Sequence, residues 1–348
     1  MAALKLTVAV ERLGFSAPFR IAGFLFEHQD AVVVTLEDGS RVGRGEACGV
    51  YYLNDNAEQM VAALEAQRAA IESGIDRASL QQLLPAGGAR NALDCALWEL
   101  DARRTGKPVW ELAGLDPPRP LITTFTLGAD SPSVMAEAAR KWAEAQALKL
   151  KLTGDLELDI ARVQAVREAR PEVWLGVDAN QGYTLAGLGS LISALIEADV
   201  AQVEQPLARG REAELENFDS PIPLVADESA LGSADVAGLV GRFQLVNIKL
   251  DKCGGLTEAL AMAGEARRLG LGVMVGNMMG SSLAMAPSFI VGQLCDVVDL
   301  DGPTFLSHDR VPGVTYSKGM IWVDEAVWGR VALSRGTHTS SAPRSTSR

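Results

Sequence analysis

Two rhythms of apolar and polar residues divide the chain. In the first hundred residues, β-rich runs precede helical ones. Leu4–Val10 and Ala31–Leu36 have the composition of strands, and Glu37-Asp38-Gly39-Ser40 before Val42 suits a hairpin turn, with Gly39 free to take positive φ. Apolar residues then recur at helical spacing from Ala57 to Ser73 and from Ala89 to Arg104, and Gly106-Lys107-Pro108 stops the second helix. A sheet feeding into helices predicts a small α+β domain over residues 1–118. After Pro120, short apolar runs alternate with amphipathic helices. The runs are Leu121–Leu127, Leu148–Leu152, Val173–Asp178, Ala201–Glu204, Leu224–Asp227, Leu245–Leu250, Gly272–Gly276 and Asp296–Asp299. Eight such strands predict a parallel barrel over residues 119–302. The expected fold is therefore α/β, a modified TIM (β/α) barrel with an N-terminal α+β capping domain. Residues of about 303–330 are expected to pack back on that domain. Residues 334–348, rich in Ser, Thr and Arg with no apolar period, read as a disordered tail.

Composition narrows the class. At 348 residues and 48% hydrophobic content the chain can bury a barrel core and a second, smaller one. Acidic residues outnumber basic ones, 44 to 32, for a net charge of −12. A nucleic-acid partner needs a basic surface, so none is expected. No apolar run approaches the roughly 20 residues of a membrane span, and Met1–Val10 lacks the features of a secretion signal. Cys48, Cys95, Cys253 and Cys295 form no CxxC pair, which suits free thiols in a reducing cytoplasm.

A (β/α) barrel gathers the C-terminal ends of its strands at one mouth. Lys149 and Lys151 end the second strand, Asp178 the third, Glu204 the fourth and Asp227 the fifth, with Lys249 late in the sixth. From Lys151 on, each step is about 22 to 27 residues, one strand–helix unit, so these groups should meet. One charged strand end is ordinarily a solvated edge or a cap; a series in register is not. Three carboxylates make an all-oxygen cage suited to a hard cation such as Mg²⁺. His28, His308 and His338 lie elsewhere, which argues against zinc. The alternative is that the acids merely pair with the lysines. Lysine acts as a base when its pKa is lowered, and a neighbouring lysine and a cation would both lower it. Lys151 and Lys249, on opposite sides of the mouth, would take a proton from one face of a carbon and return it to the other. The cation would stabilise the enediolate formed in between.

The segments Lys149-Leu150-Lys151, Val177-Asp178-Ala179-Asn180, Val203-Glu204-Gln205-Pro206, Ala226-Asp227-Glu228-Ser229 and Asn247-Ile248-Lys249-Leu250-Asp251-Lys252-Cys253-Gly254-Gly255, in this order, resemble the enolase superfamily, within it the muconate lactonizing enzyme subgroup. Gly45-Glu46 and Arg90-Asn91-Ala92-Leu93-Asp94-Cys95-Ala96-Leu97-Trp98 agree, and the likeness runs from about Leu4 to Trp328. The resemblance implies metal ligands at Asp178, Glu204 and Asp227 for one Mg²⁺ per subunit, with Mn²⁺ able to substitute. It implies an acid/base pair at Lys151 and Lys249, assisted by Lys149, and a homo-oligomer. Lys252 competes with Lys249 for the second role, but Lys249 sits in the strand pattern.

On the last strand, Asp299 and Asp301 stand two apart and face the same way. A turn at Asp-Gly-Pro explains Asp301 but not Asp299. Two acids at the mouth suit a cationic group, and this pair resembles that of the dipeptide epimerases of the subgroup. The expected substrate is thus an L-Ala-Xaa-type dipeptide, its ammonium held by Asp299 and Asp301 and the α-carbon of its C-terminal residue inverted. Loops of the first domain, expected at Phe19–Glu27 and Cys48–Asn54, would read the side chain. Gly23-Phe24-Leu25-Phe26 carries no arginine, with only Arg20 nearby. Phe24 and Phe26 would favour an apolar side chain or simply pack between domains; Glu27 and Asp55 offer the opposite option, a basic side chain. Met278 and Ser281 on the seventh-strand loop are further candidate substrate contacts, though Ser281 also suits a helix cap. The rival readings are an o-succinylbenzoate synthase or N-acylamino acid racemase, with the same cage, and a non-catalytic metal-binding barrel.

Overall fold

The computed structural model describes residues 3–21 and 24–329. The chain opens with a long antiparallel pair, Lys5–Ile21 and Phe24–Asp38, followed by Arg41–Ala47. Gly39, at φ 61, makes the turn between the second and third strands. Alternation gives this sheet two buried faces. Val32, Val34 and Leu36 pack on the helices of the first domain, while Val33 joins the apolar cluster of the barrel. The expected loop Phe19–Glu27 is instead mostly strand: after a register shift between Gly14 and Phe19, Phe19 pairs with Phe26 and Arg20 with Leu25. Its alternating aromatic and aliphatic residues continue the pleat. The side chain of Phe24, and all of residues 334–348, lie outside the described residues.

The expected helix Ala57–Ser73 is broken at Gln67 into Ala57–Ala66 and Arg68–Glu72, where Arg68 turns to donate to the Leu6 carbonyl. A further helix, Arg77–Leu83, is capped by Asp76, which accepts from the Ser79 amide. The helix Gly88–Thr105 is buried along most of its length and ends at Gly106, at φ 72. It lies almost against the third strand. A Cβ on Gly43 or Gly45 would stand 2.0 Å from the carbonyl oxygen of Ala96 or Ala92.

Eight parallel strands follow in chain order: Thr124–Leu127, Ala147–Lys151, Trp174–Asp178, Gln202–Glu204, Leu224–Ala226, Leu245–Ile248, Gly272–Val275 and Val297–Val298. Together with their helices they form a barrel closed but for one seam. Among the described residues no ladder pairing joins the eighth strand to the first. Side chains close that seam: Leu300 N donates to Thr123 Oγ1 at 2.9 Å and Thr126 N to Asp301 Oδ2 at 2.6 Å. The expected strand Leu121–Leu127 divides at Thr123, because Leu121–Ile122 pairs with the hairpin Thr315–Ser317 and Met320–Trp322 instead. The C-terminal segment also reaches the first domain, where Trp328 Nε1 donates to the Arg44 carbonyl and Ser307 N to that of Gly14. Among the described residues no helix is long and apolar enough to cross a membrane.

The contact between the third strand and its helix gives a direct test. Gly45→Ala is expected to lower stability by about 1–3 kcal/mol, since the added methyl meets backbone that cannot move aside. Urea denaturation with an unchanged m-value would show it; an unaltered midpoint would mean that the helix can back away.

Candidate active site

Strand register brings the expected groups into one layer. Lys151 lies beside Asp178, and Asp178 beside Glu204, across successive parallel pairs. Asp227 follows directly on the fifth strand and Lys249 on the sixth. Alternation sends Lys149 and Lys151 to the same interior face. One oxygen each from Asp178, Glu204 and Asp227 falls within a 4.8 Å cluster, and all three residues are buried. Lys151 Nζ donates to Asp178 Oδ2 at 2.6 Å, Lys249 Nζ to Asp227 Oδ2 at 2.7 Å and Lys149 Nζ to Glu204 Oε2 at 3.2 Å. Lys149 also pairs closely with Asp299.

Burial raises a carboxyl pKa and lowers a lysine's, and here it competes with a dense set of charges. Burial and the nearby Asp178 push Glu204 up to about 7. Burial would raise Asp227 too, but Lys249 and Lys252 override it and hold that carboxyl well below its ordinary value. For Lys249 and Lys149 the carboxylate neighbours outweigh the expected lowering. Burial favours it, yet Asp227, Glu204 and Asp178 together raise Lys249 well above its ordinary value. Asp299, Glu204 and Asp178 likewise raise Lys149. The lysines thus stand in for positive charge that the carboxylates demand. The donor set fits a hard divalent cation: oxygen only, buried, with three orphaned buried oxygens on neighbouring residues, Asn180 Oδ1, Glu228 Oε2 and Asn247 Oδ1. Burial, reinforced by Asp227 and Asp178, moves Glu228 up to about 8.

These groups line one cavity between the domains. Lys149, Lys151, Lys249, Asp227, Asp299 and Asp301 form its polar side. Phe19, Phe26, Tyr51, Tyr52, Met278 and Phe305 form its apolar lining, with Phe26 and Tyr51 in edge contact at 5.4 Å. Among the described lining residues there is no arginine; Arg20 is exposed on the hairpin. Glu27 is exposed, and Asp55 is engaged by the Gly88 amide at 2.7 Å, so neither reaches the cavity wall. Ser281 does not line the cavity. It caps the helix Ser282–Gly292, and its hydroxyl is held between Glu46 and Arg310. Lys252 is also absent from the lining and packs behind Asp227.

Asp299 and Asp301 do reach the cavity, but both lie beyond the short last strand, not within it. Thr124 Oγ1 donates to Asp299 at 2.5 Å and the Thr126 amide to Asp301. Both acids therefore also tie the last strand to the first. Burial and Asp299 move Asp301 up to about 6. Sequence reasoning did not find Tyr51 and Tyr52 as wall residues, nor Glu46 and Asp251 as anchors. The Tyr-Tyr pair stood in a segment expected to cover the mouth. The two anchors gave no local signal, since their partners lie 202 or more residues away.

Comparison with known proteins follows the same lines. Residues 4–114 match the mandelate racemase / muconate lactonizing enzyme N-terminal domain, and residues 134–326 the enolase C-terminal domain-like family. The chain is 40% identical to the L-Ala-D/L-Glu epimerase of Escherichia coli strain K12, covering 87% of this chain and 94% of that one. It is 41% identical to an N-acetyl-D-glutamate racemase of a Pseudoalteromonas species, over 76% of this chain and 82% of the relative. Among solved structures, an enolase family member from Agrobacterium tumefaciens with homology to dipeptide epimerases, bound to sodium and L-Ala-L-Glu, superposes with a TM-score of 0.90. That match has 39% identity over 94% of this chain and all (100%) of the other. A dipeptide epimerase from Enterococcus faecalis V583, complexed with Mg and L-Leu-L-Tyr, gives 0.86 at 27% identity over 93% and 98%.

Asp251, one turn beyond the sixth strand, accepts from the Cys48 and Gly49 amides at 2.8 and 2.9 Å and so holds the segment that carries Tyr51 and Tyr52. Burial raises its carboxyl to about 7, against the lowering effect of those amides. An acid whose folded pKa exceeds its unfolded one keeps its proton better when folded, so its contribution to stability falls between about pH 4 and pH 7. Asp251→Asn keeps an acceptor oxygen and should remove that fall, gaining on the order of 1–3 kcal/mol on the parent from pH 4 to pH 8. Parallel urea-unfolding profiles for the two proteins would contradict this.

Proposed function

Because the chain belongs to the mandelate racemase / muconate lactonizing enzyme family of the enolase superfamily, we propose that it is a Mg²⁺-dependent dipeptide epimerase. It inverts the α-carbon of the C-terminal residue of an L-Ala-Xaa-type dipeptide. The observation that carries this reading is Lys151 and Lys249 in one cavity, each beside a carboxylate of the buried oxygen cluster. Asp178, Glu204 and Asp227 would hold Mg²⁺, or Mn²⁺ in its place. When bound, the cation supplies a Lewis acid for the substrate carboxylate, which acidifies the adjacent C–H. With the carboxylates neutralised, burial is left to act on Lys249 and favours its neutral amine. One lysine, as the neutral amine, takes the α-proton, while the other, as the ammonium, gives its proton to the opposite face; the reverse direction exchanges their roles. Lys149, paired with Asp299 and Glu204, stays charged and steadies the carboxylate end.

Asp299 and Asp301 hold the substrate ammonium. A carboxylate has about four acceptor sites, so the bonds each already accepts leave room for it. The wall of Phe19, Phe26, Tyr51, Tyr52 and Met278 favours an apolar Xaa. A second reading has its own support. Asp299 is already neutralised by Lys149, and one relative is named an N-acetyl-D-glutamate racemase. An N-acetyl amino acid presents the same acylated α-carbon without an ammonium.

Incubation in D₂O with Mg²⁺ and a panel of L,L-dipeptides and N-acetyl amino acids, read by mass spectrometry, tests both. Deuterium should enter dipeptides with apolar C-terminal residues, stop on chelation of Mg²⁺, and epimerisation should fall about 10²- to 10⁴-fold in Lys151→Ala and Lys249→Ala. Exchange confined to N-acetyl substrates would replace the dipeptide reading, and no exchange on either class would sink both. The acidic pair is tested separately. Asp301→Asn should raise KM for dipeptides about tenfold or more, the loss of one charged hydrogen bond, and leave N-acetyl substrates unchanged. Equal effects on both classes would make Asp301 a seam residue only.

A further inference from the structure

We infer that Asn247 and Lys252 are positioning residues that orient two of the three cation-holding carboxylates, an inference that rests on the cation site proposed above. Both flank Lys249 in one short stretch. The sixth strand ends at Ile248, and Leu250–Cys253 form a single helical turn closed by Gly254 at φ 84. Strand alternation points Asn247 and Lys249 to the same face. The turn then carries Lys252 back toward the fifth strand. Asn247 Nδ2 donates to Glu204 Oε1 at 2.8 Å. The Lys252 ammonium donates to Asp227 Oδ1, to the Asp227 carbonyl at 2.6 Å and to the Asn247 carbonyl at 2.9 Å.

Three acceptors exhaust the three N–H bonds of an ammonium. Lys252 is buried behind Asp227 and does not line the cavity, so it has no proton free for a substrate. The two oxygens of Asp227 are divided between Lys252 on Oδ1 and Lys249 on Oδ2. Glu204 shows the same division, with Asn247 on Oε1 and Lys149 on Oε2. In each carboxylate one oxygen takes a donor that does not line the cavity, Asn247 or Lys252, and the other takes a cavity lysine. Space for this is kept by Gly276, just past the seventh strand, where a Cβ would stand 2.7 Å from Asn247 Oδ1 and 3.0 Å from Lys249 Cε. Groups that fix ligands from behind typically set metal affinity by about 10- to 100-fold.

The sign of the effect separates orientation from charge. A cation beside a ligand repels the metal, so a Lys252 that acted only by charge would loosen Mg²⁺, and its removal would tighten binding. A positioning Lys252 does the reverse. Isothermal titration of Mg²⁺ into the full-length, metal-stripped protein is expected to show Kd raised about 10- to 100-fold in both Lys252→Met and Asn247→Ala. Circular dichroism melts would establish that each variant is folded. Should Lys252→Met fail to fold, Asn247→Ala, which removes an uncharged donor, decides the question. Unchanged or tighter Mg²⁺ binding in a folded variant overturns the inference. So does loss of deuterium exchange in Lys252→Met at unaltered Mg²⁺ affinity, which would make Lys252 a proton-transfer group. A parent protein that binds no Mg²⁺ overturns the cation reading itself, and this inference with it.

Discussion

Everything at the barrel mouth depends on keeping several opposite charges together away from water. An isolated buried ion costs several kcal/mol, and it persists only where partners are near and well aimed. Asp178, Glu204, Asp227, Lys149 and Lys249 are all buried, and each has at least one opposite charge within 3.2 Å. The strand register of the barrel makes this possible, since it delivers the groups at a common height from five neighbouring strands. The same crowding sets the pKa pattern. Carboxylates raise Lys149 and Lys249 against the effect of burial, lysines depress Asp227, and burial together with the nearby carboxylates lifts Glu204 and Glu228. Such a cluster suits a divalent cation, which would neutralise the carboxylates.

The first domain is bound to this mouth by polar anchors as well as by apolar packing. Asp251 holds the Cys48 and Gly49 amides, and Arg90 donates to the carbonyls of Cys253 and Gly254. Asp94 receives the Thr257 amide and hydroxyl. Glu46, fully buried, takes the Ser281 amide and the Arg310 guanidinium. Three of these four anchor partners lie just after the sixth strand, next to Lys249. The apolar wall of the cavity, including Tyr51 and Tyr52, is therefore placed relative to Lys249 by short, buried hydrogen bonds.

The acidic pair of the last strand has a double position. Asp299 and Asp301 face the cavity, yet through Thr124 and Thr126 they also draw the eighth strand to the first, where no ladder does so among the described residues. Any substrate group that they bind is thus read at the closure of the barrel. A change in their charge bears on the seam as well as on binding.

Much of this was legible in the chain itself. The alternation of short apolar runs with amphipathic helices gave the eight barrel strands, and charged residues at their ends gave the lysines and the three carboxylates. Both signals are local in period, set by the pleat and the helix, and both survive into the fold. The extent of the hairpin, the break at Gln67 and the division at Thr123 were not legible, because each is decided by a partner: a paired strand, the Leu6 carbonyl, the C-terminal hairpin. The strand pattern favoured Lys249 over Lys252, but no local pattern tells that Lys252 is spent on Asp227, or that Ser281 is taken by Glu46 and Arg310. Sequence determined which groups come to the mouth, since spacing along the chain sets strand ends. Only tertiary structure decided which of their atoms are tied and which are left facing the cavity, since that depends on contacts between residues far apart in the chain.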